Sequence, residues 1–264
     1  MTSQRLPLTI IIPTRNEAEQ IREVVDSLSF AAEVLVADGY STDATAGIAR
    51  EAGARVIEST GPTIAAQRNA AIAQAKHEWV FALDADERVT DELKDELRRV
   101  LAAPAHPVYK VRRRNFYLGH EFRRGHWGRD WVTRLFTRDR RYVERRVHEH
   151  LERVEHAGHL TGCLLHTPYR DLSHQLEKME CYARWGALDL FERGERATAW
   201  HLAGHPIGRF LGVYLLQGGF LDGRFGLVTA MLTAYGTFLK YGHLWAMERG
   251  SDRTAIGGKV SGPE

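Results

Sequence analysis

Two aspartates one residue apart, Asp84 and Asp86 in Leu83-Asp84-Ala85-Asp86-Glu87, are the sharpest chemical feature of this chain. Carboxylates at that spacing can hold a hard divalent cation, Mg2+ or Mn2+, when substrate phosphates complete the shell. The same string also occurs as a solvated turn leading into a helix. Its place after the apolar run Trp79-Val80-Phe81-Ala82-Leu83 favours the metal reading. A further acid, Asp38, follows Val34-Leu35-Val36-Ala37 and opens Asp38-Gly39-Tyr40-Ser41-Thr42-Asp43. An aspartate there can accept a hydrogen bond from a ribose hydroxyl or a base N–H. Asp43 reads equally well as a helix cap, a role that Ser, Thr and Asp all fill well.

The elements that must position these acids are legible around them. Leu8-Thr9-Ile10-Ile11-Ile12, ended by Pro13, reads as a buried strand. Asn16 with Glu19 three residues on has the capping-box pattern, opening a helix through Ile21, Val24, Val25 and Leu28. Val34–Ala37 is a second strand, followed by a helix through Ala44, Ile48 and Ala49 that Gly53 closes. Arg55–Ile57 is a third strand, Ala65–Ala75 an Ala-rich helix, and Trp79–Leu83 a fourth strand. Thr90 caps a helix whose buried face is Leu93, Leu97, Val100 and Leu101. This succession predicts an α/β fold with a mostly parallel sheet covered on both faces. Ligands of such sheets bind outside the carboxyl ends of the strands. The oxygen-rich loops Thr14–Glu17, Asp38–Asp43 and Asp84–Asp86 all lie at such ends.

Beyond Pro107 the pattern changes. Val108–Leu118 and Trp131–Phe136 alternate as strands, a helix runs through Leu176, Met179 and Ala183, and Ala197–Met247 is rich in Leu, Gly, Phe and Tyr. Gly250–Glu264 reads as a disordered tail. The 264 residues carry 44% hydrophobic and 27% charged residues and a net charge of +2, so no strong overall pull toward nucleic acid is expected. Arginines are nonetheless dense from Arg112 to Arg146, either as a solvated sheet face or as a surface for phosphates. The two cysteines, Cys163 and Cys181, form no metal-like pair and suit a reducing cytosol. No leader-like or membrane-spanning stretch is read in the sequence.

Four motifs in order, Ile10–Glu17, Ala37–Thr45, Gln67-Arg68-Asn69-Ala70 and Leu83–Glu87, resemble those of family 2 glycosyltransferases with the GT-A fold, over roughly residues 6–103. Gly125-His126-Trp127-Gly128-Arg129-Asp130, Arg134-Leu135-Phe136, Val147-His148-Glu149, Lys178, Tyr182, Phe220-Leu221-Asp222-Gly223 and Phe238-Leu239-Lys240-Tyr241 resemble a narrower branch. That branch contains lipopolysaccharide-core β-1,4-glucosyltransferases. One departure is Trp127-Gly128-Arg129-Asp130, where the branch pattern has an aromatic and a proline between; the acceptor pocket is expected to differ accordingly.

The resemblance implies an inverting hexosyltransferase that moves a hexose, glucose first, from a UDP-hexose to a surface glycan or glycolipid. Pro13, Thr14, Arg15 and Glu17 would line the nucleotide, and Asp38 would meet its uracil or ribose. Arg68 would reach the pyrophosphate or order the loop. Asp86 would ligate the metal, and Asp84 would contact metal or ribose. Glu149 or Asp130 would be the base that takes the acceptor proton. His148, His150 or His166 would complete the metal shell, though a single histidine is more often structural. The expected division is a GT-A domain over 1–170, with a nucleotide-binding half 1–103 and an acceptor half 104–170. A helical region over 171–250 and the tail 251–264 follow.

Phe210, Leu211, Tyr214, Leu215, Phe220 and Phe225, flanked by Arg209, Arg224 and Lys240, would give that helical region an apolar face. It would serve either a membrane surface, at the inner face of the cytoplasmic membrane, or packing and dimerisation. Transfer to a polyprenyl phosphate is the same-fold alternative. A nucleic-acid-binding module using residues 112–146 is the alternative of a different class, and it leaves the strand-end acids unexplained. A nucleotidyltransferase would also use Asp84 and Asp86 but would release pyrophosphate. The His148-Glu149-His150 string lacks the spacing of a zinc hydrolase.

Overall fold

The computed structural model describes residues 5–250 apart from 60, 62, 129, 145–149, 153 and 155. The expected tail at 251–264 lies outside the described residues. In chain order the first elements are β1 (Leu6–Thr14), α1 (Ile21–Asp26), β2 (Ala31–Asp38), α2 (Thr45–Glu51), β3 (Arg55–Glu58) and α3 (Ile64–Gln74). Then come β4 (Trp79–Ala82), β5 (Glu87–Val89), α4 (Asp91–Ala102), β6 (Val108–Tyr117), β7 (His120–Glu121) and α5 (Gly125–Gly128). The last are β8 (Asp130–Thr137), β9 (Gly158–His166), α6 (Leu172–Glu192), α7 (Ala199–Leu211) and α8 (Gly223–Glu248).

The chain divides into two compact units, one of residues 5–114 and 130–167, the other of 115–129 and 168–250. The first is built on a sheet in the order β3-β2-β1-β4-β8-β6-β9-β5. β1 lies parallel to β2 and β4, and β2 to β3; β8 lies antiparallel to β4 and β6, and β9 to β5. The parallel half is thus the part foreseen from the first hundred residues, and the later strands extend it antiparallel. The alternation of side chains along β1 sorts its apolar run onto two faces. Leu8, Ile10 and Ile12 join Val36, Phe81 and Leu135 under α1 and α4, while Ile11 joins Leu35, Val80 and Phe136 under α3. Each fully buried isoleucine contributes roughly 1.5–3 kcal/mol of transfer free energy, which makes β1 the axis of the unit.

The helix cap expected at Thr90 forms, one at Thr63 was not foreseen, and the one expected at Asn16 is absent. Thr90 Oγ1 accepts from Leu93 N at 3.3 Å, and Thr63 Oγ1 accepts from Ala66 N at 3.1 Å. The capping box expected at Asn16 and Glu19 does not form, because α1 starts only at Ile21 and has no side-chain cap. Asn16 instead takes a left-handed conformation (φ 55°), and its Oδ1 accepts from Thr42 N at 2.8 Å. It ties one strand-end loop to the next rather than starting a helix.

The second unit is helical. α6 is capped by Asp171, whose Oδ1 accepts from His174 N at 2.8 Å. Both α6 and α7 pack along α8, around Ala187, Tyr241, Leu244 and Met247. α7 leads through a π-helical turn at 212–216 and a 3-10 turn at 219–222 into α8. That reversal demands glycine: a Cβ on Gly226 would stand 1.8 Å from the Gly219 carbonyl oxygen. Among the described residues no helix is long and apolar enough to cross a membrane.

Candidate active site

The parallel register sets the strand ends side by side. Thr14 at the end of β1 pairs with Asp38 at the end of β2, and Asp38 pairs with Glu58 of β3. The Asp38 carboxylate is buried and organises its own turn, accepting from Ser41 N at 3.1 Å and Ser41 Oγ at 2.5 Å. Asp43 acts on the neighbouring loop. Its oxygens accept from Thr45 N at 2.9 Å and Ala18 N at 3.2 Å, and Thr45 Oγ1 in turn accepts from Glu17 N at 2.8 Å. Burial pushes the Asp43 carboxyl up, but these bonds outweigh it and hold it below the usual range. Asp43 thus orders the turn before α2 and the neighbouring loop, although the N-cap position of α2 is Ala44 and that helix has no side-chain cap. Around the same ends, Thr14 Oγ1, Arg15 Nε and Ser59 Oγ are buried and have no hydrogen-bond partner among the described residues. They are groups that a ligand's hydroxyls and phosphates would satisfy. Gly39 leaves room for the Gln67 amide, which a Cβ there would displace, standing 2.1 Å from Gln67 Nε2.

The two aspartates of the Asp84–Asp86 pair face different partners. β8 runs antiparallel to β4 with Leu135 opposite Phe81, which brings Arg134 past the end of β4 to meet Asp84. One Asp84 oxygen accepts from Arg68 and the other from Arg134, each at 2.5 Å. Arg134 also donates to Glu87 at 2.6 Å, Glu87 accepts from Asp84 N at 3.1 Å, and Arg113 stands 3.4 Å from Glu87. Burial alone would raise the Asp84 carboxyl, but Arg134 and Arg68 overcome it and hold it far below the ordinary carboxylate range. Burial likewise opposes the charge on Arg134, and Asp84 and Glu87 more than restore it. Arg68, stacked over the Tyr142 ring at 4.9 Å, thus has the contacts of a loop-ordering group.

Asp86 is placed otherwise. β5 pairs with β9 so that Glu87 lies opposite His166, and Thr167 N donates to Asp86 O at 3.0 Å. His166 Nε2 is then 3.6 Å from Asp86 Oδ1, with both side chains largely buried. His166 thus stands beside an aspartate of the pair, as one of the histidines expected to complete a metal shell. Of the candidate bases, Asp130 opens β8 opposite Arg113, whose Nε and Nη2 stand 2.8 and 2.7 Å from its Oδ2. Glu149 and His148 lie outside the described residues.

The sequence names Arg134 and Glu87 only as members of motifs and Arg113 only within the arginine-dense stretch, and assigns none of the three a partner in the site. Strand alternation divides the arginines: Arg112 is exposed, Arg113 half-buried, and Arg134 buried between the strands. The signal available was a lone cation directly before Leu135-Phe136 in an apolar strand, which needs a counter-ion if buried.

Comparison with known proteins follows the same line. The model of the family described as "Glycosyl transferase family 2" matches residues 9–154. The lipopolysaccharide core biosynthesis glycosyltransferase LpsC of Rhizobium meliloti (strain 1021) is 30% identical over 246 residues, covering 87% of this chain and 91% of that protein. The uncharacterized glycosyltransferase RP128 of Rickettsia prowazekii (strain Madrid E) is 26% identical over 251 residues, covering 90% and 86%. Among solved structures, glucosyl-3-phosphoglycerate synthase from Mycobacterium tuberculosis in complex with Mn2+, uridine-diphosphate and glucosyl-3-phosphoglycerate aligns with a TM-score of 0.34 at 22% identity. The alignment covers 43% of this chain and 45% of that one, so the chain spans less than half the length of that structure.

Proposed function

Because the chain belongs to glycosyl transferase family 2, we propose that it moves a hexose, glucose first, from a UDP-hexose to a glycan of lipopolysaccharide-core type, with inversion at the anomeric carbon. The observation that carries the chemistry is the approach of Asp86 Oδ1 to His166 Nε2 at 3.6 Å. Adjacent octahedral ligands at about 2.1 Å from one ion lie roughly 3 Å apart, so a small closing of this pair would let both reach it; the carboxylate suits Mn2+ or Mg2+, and the imidazole would add a nitrogen ligand. No group of three or more such ligands occurs among the described residues, so diphosphate oxygens and water would fill the remaining positions. The ion, when bound, supplies charge neutralisation for the departing nucleoside diphosphate.

The chain's own residues do the rest. Arg68 and Arg134 fix Asp84, and with it the backbone that presents Asp86. Thr14, Arg15 and Asp38 at the ends of β1 and β2, with Pro13 and Glu17, line the nucleotide. Glu149 takes the proton of the acceptor hydroxyl as its oxygen forms the bond to the anomeric carbon, and the bond to the diphosphate breaks on the opposite face. Asp130, held by Arg113, is the alternative base. The name of LpsC supports the acceptor class. Calorimetry with UDP and a panel of UDP-sugars, with and without Mn2+, tests the reading. Binding should need the ion and should be lost in both Asp86→Ala and His166→Ala. Full metal-independent binding by both variants would overturn it.

The reading extends to an anionic lipid surface as the place of work. Leu227, Met231, Tyr235, Phe238 and Trp245 are exposed on α8 at spacings of three, four and seven residues, hence on one face. Arg224 and Arg249, both exposed, bracket that stripe on the same face. An apolar stripe with a cation at each end suits a helix lying flat on anionic headgroups. Of the cations named from sequence, Arg224 fits this role, while Lys240 is half-buried with its amine over the Tyr241 ring.

A further inference from the structure

Within the second unit, a shallow, solvent-open cleft is lined by Phe122, Arg124, Trp127, Arg209, Asp222 and Thr229, among others. It holds three charged side chains that do not satisfy one another. The Asp222 side chain is only 7% exposed, and its Oδ2 is buried without a hydrogen-bond partner among the described residues. His120 Nε2 lies 3.9 Å from Oδ1, beyond hydrogen-bond reach. Asp222 is also the residue before α8, yet it makes no capping bond to that helix. Arg124 and Arg209 are exposed and form no ion pair with it.

A buried carboxylate accepts only and costs free energy until donors reach it. Two guanidiniums donate only and prefer a planar or tetrahedral anion. Trp127, packed edge-on against Phe122 at 5.0 Å between ring centres, adds an aromatic wall. One ligand with several hydroxyls and one anionic substituent satisfies all of these groups at once. We infer that this cleft binds an acidic sugar, its hydroxyls on Asp222 and its carboxylate or phosphate on Arg124 and Arg209. It would then be a subsite for a charged residue of the acceptor glycan, which rests on the transferase reading above.

The test uses the full chain labelled with 15N, following the Trp127 indole N–H, assigned through Trp127→Phe, during titration with glucuronate, glucose 6-phosphate and glucose. The two anionic sugars should shift that resonance at concentrations where glucose does not. Arg209→Gln should weaken the anionic sugars about tenfold, the value of one charge-assisted hydrogen bond, and Asp222→Asn should weaken them by a similar factor. Arg209 is exposed, so its variant keeps the test open if Asp222→Asn fails to fold. UDP binding with Mn2+ is measured on the same samples. A protein that binds UDP but shows no Trp127 shift overturns the subsite, as does an equal response to glucose or unchanged affinities in both variants. A protein that shows the shift but does not bind UDP overturns the transferase reading and leaves the cleft a sugar-acid site.

Discussion

Arg134 offers the most direct test of how the site is held. Its side chain is 4% exposed and stands between Asp84 and Glu87, the latter fully buried. Arg134→Gln leaves these two acids facing each other with only Arg68 and Arg113 nearby. Removing one partner of a buried ion pair costs about 3–5 kcal/mol, mostly because the remaining charge is stranded. At roughly 2–4 °C per kcal/mol for a chain of this size, Tm should fall by about 6–20 °C. The pH dependence carries a sign. Asp84 is held below its unfolded value, so in the wild type its ion pairs stabilise fully above the unfolded pKa of about 3.9 and are lost as pH falls through the lower folded value. In the variant the main cation is gone and the folded value rises, so protonation relieves the acids sooner. The gap between the two proteins should be widest near neutral pH and shrink on acidification toward about pH 4. Calorimetric melts across that range measure it. A variant melting within about 2 °C of wild type at neutral pH, or a gap that widens in acid, would refute the argument.

Other outcomes follow from single features. Glu149→Gln should lower turnover about 10²–10⁴-fold with donor affinity unchanged, measured by UDP release; near-normal turnover beside an inactive, folded Asp130→Asn would move the base to Asp130. Gly226→Ala forces a methyl to within 1.8 Å of the Gly219 carbonyl and should sharply lower Tm. Gly242→Ala, with nothing within 4 Å of its Cβ, should be neutral or stabilise α8 by about 0.5–1 kcal/mol, and equal melting of the two would contradict the packing. The protein should float with anionic but not neutral vesicles, and less so at high salt. Failure to float with either, together with a concentration-dependent dimer by light scattering, would assign the α8 stripe to a second copy.

The first half of the fold was readable because β1, β2 and β4 are apolar runs largely buried on both faces, and each ends in an oxygen-rich loop. Asp38, Asp84 and Asp86 could be set at strand ends on that basis alone, whereas Arg68, inside α3, was picked out only by the motif resemblance. What hid was antiparallel closure. β5 is three residues long, too short for any periodicity, yet its pairing with β9 is what sets His166 beside Asp86. Arg134 hid for a related reason: one arginine among many looks like surface until the partner strand is known. Asn16 misled by composition, since the side chain that favours a cap equally favours a left-handed turn.

The split of the second unit into two stretches of chain has a consequence for biosynthesis. Trp127 and His120 leave the ribosome well before their ring neighbours Tyr169 and Phe225, which lie 6.1 and 4.3 Å away in the folded protein. With about 100 residues between Trp127 and Phe225 and translation at about 5–20 residues per second, this aromatic loop waits roughly 5–20 s for its full complement of partners. Until α8 is made, the nascent chain carries an adhesive patch that only a chaperone can shield. Slow translation between β9 and α8 should therefore lower soluble yield more than slow translation anywhere in the first hundred residues.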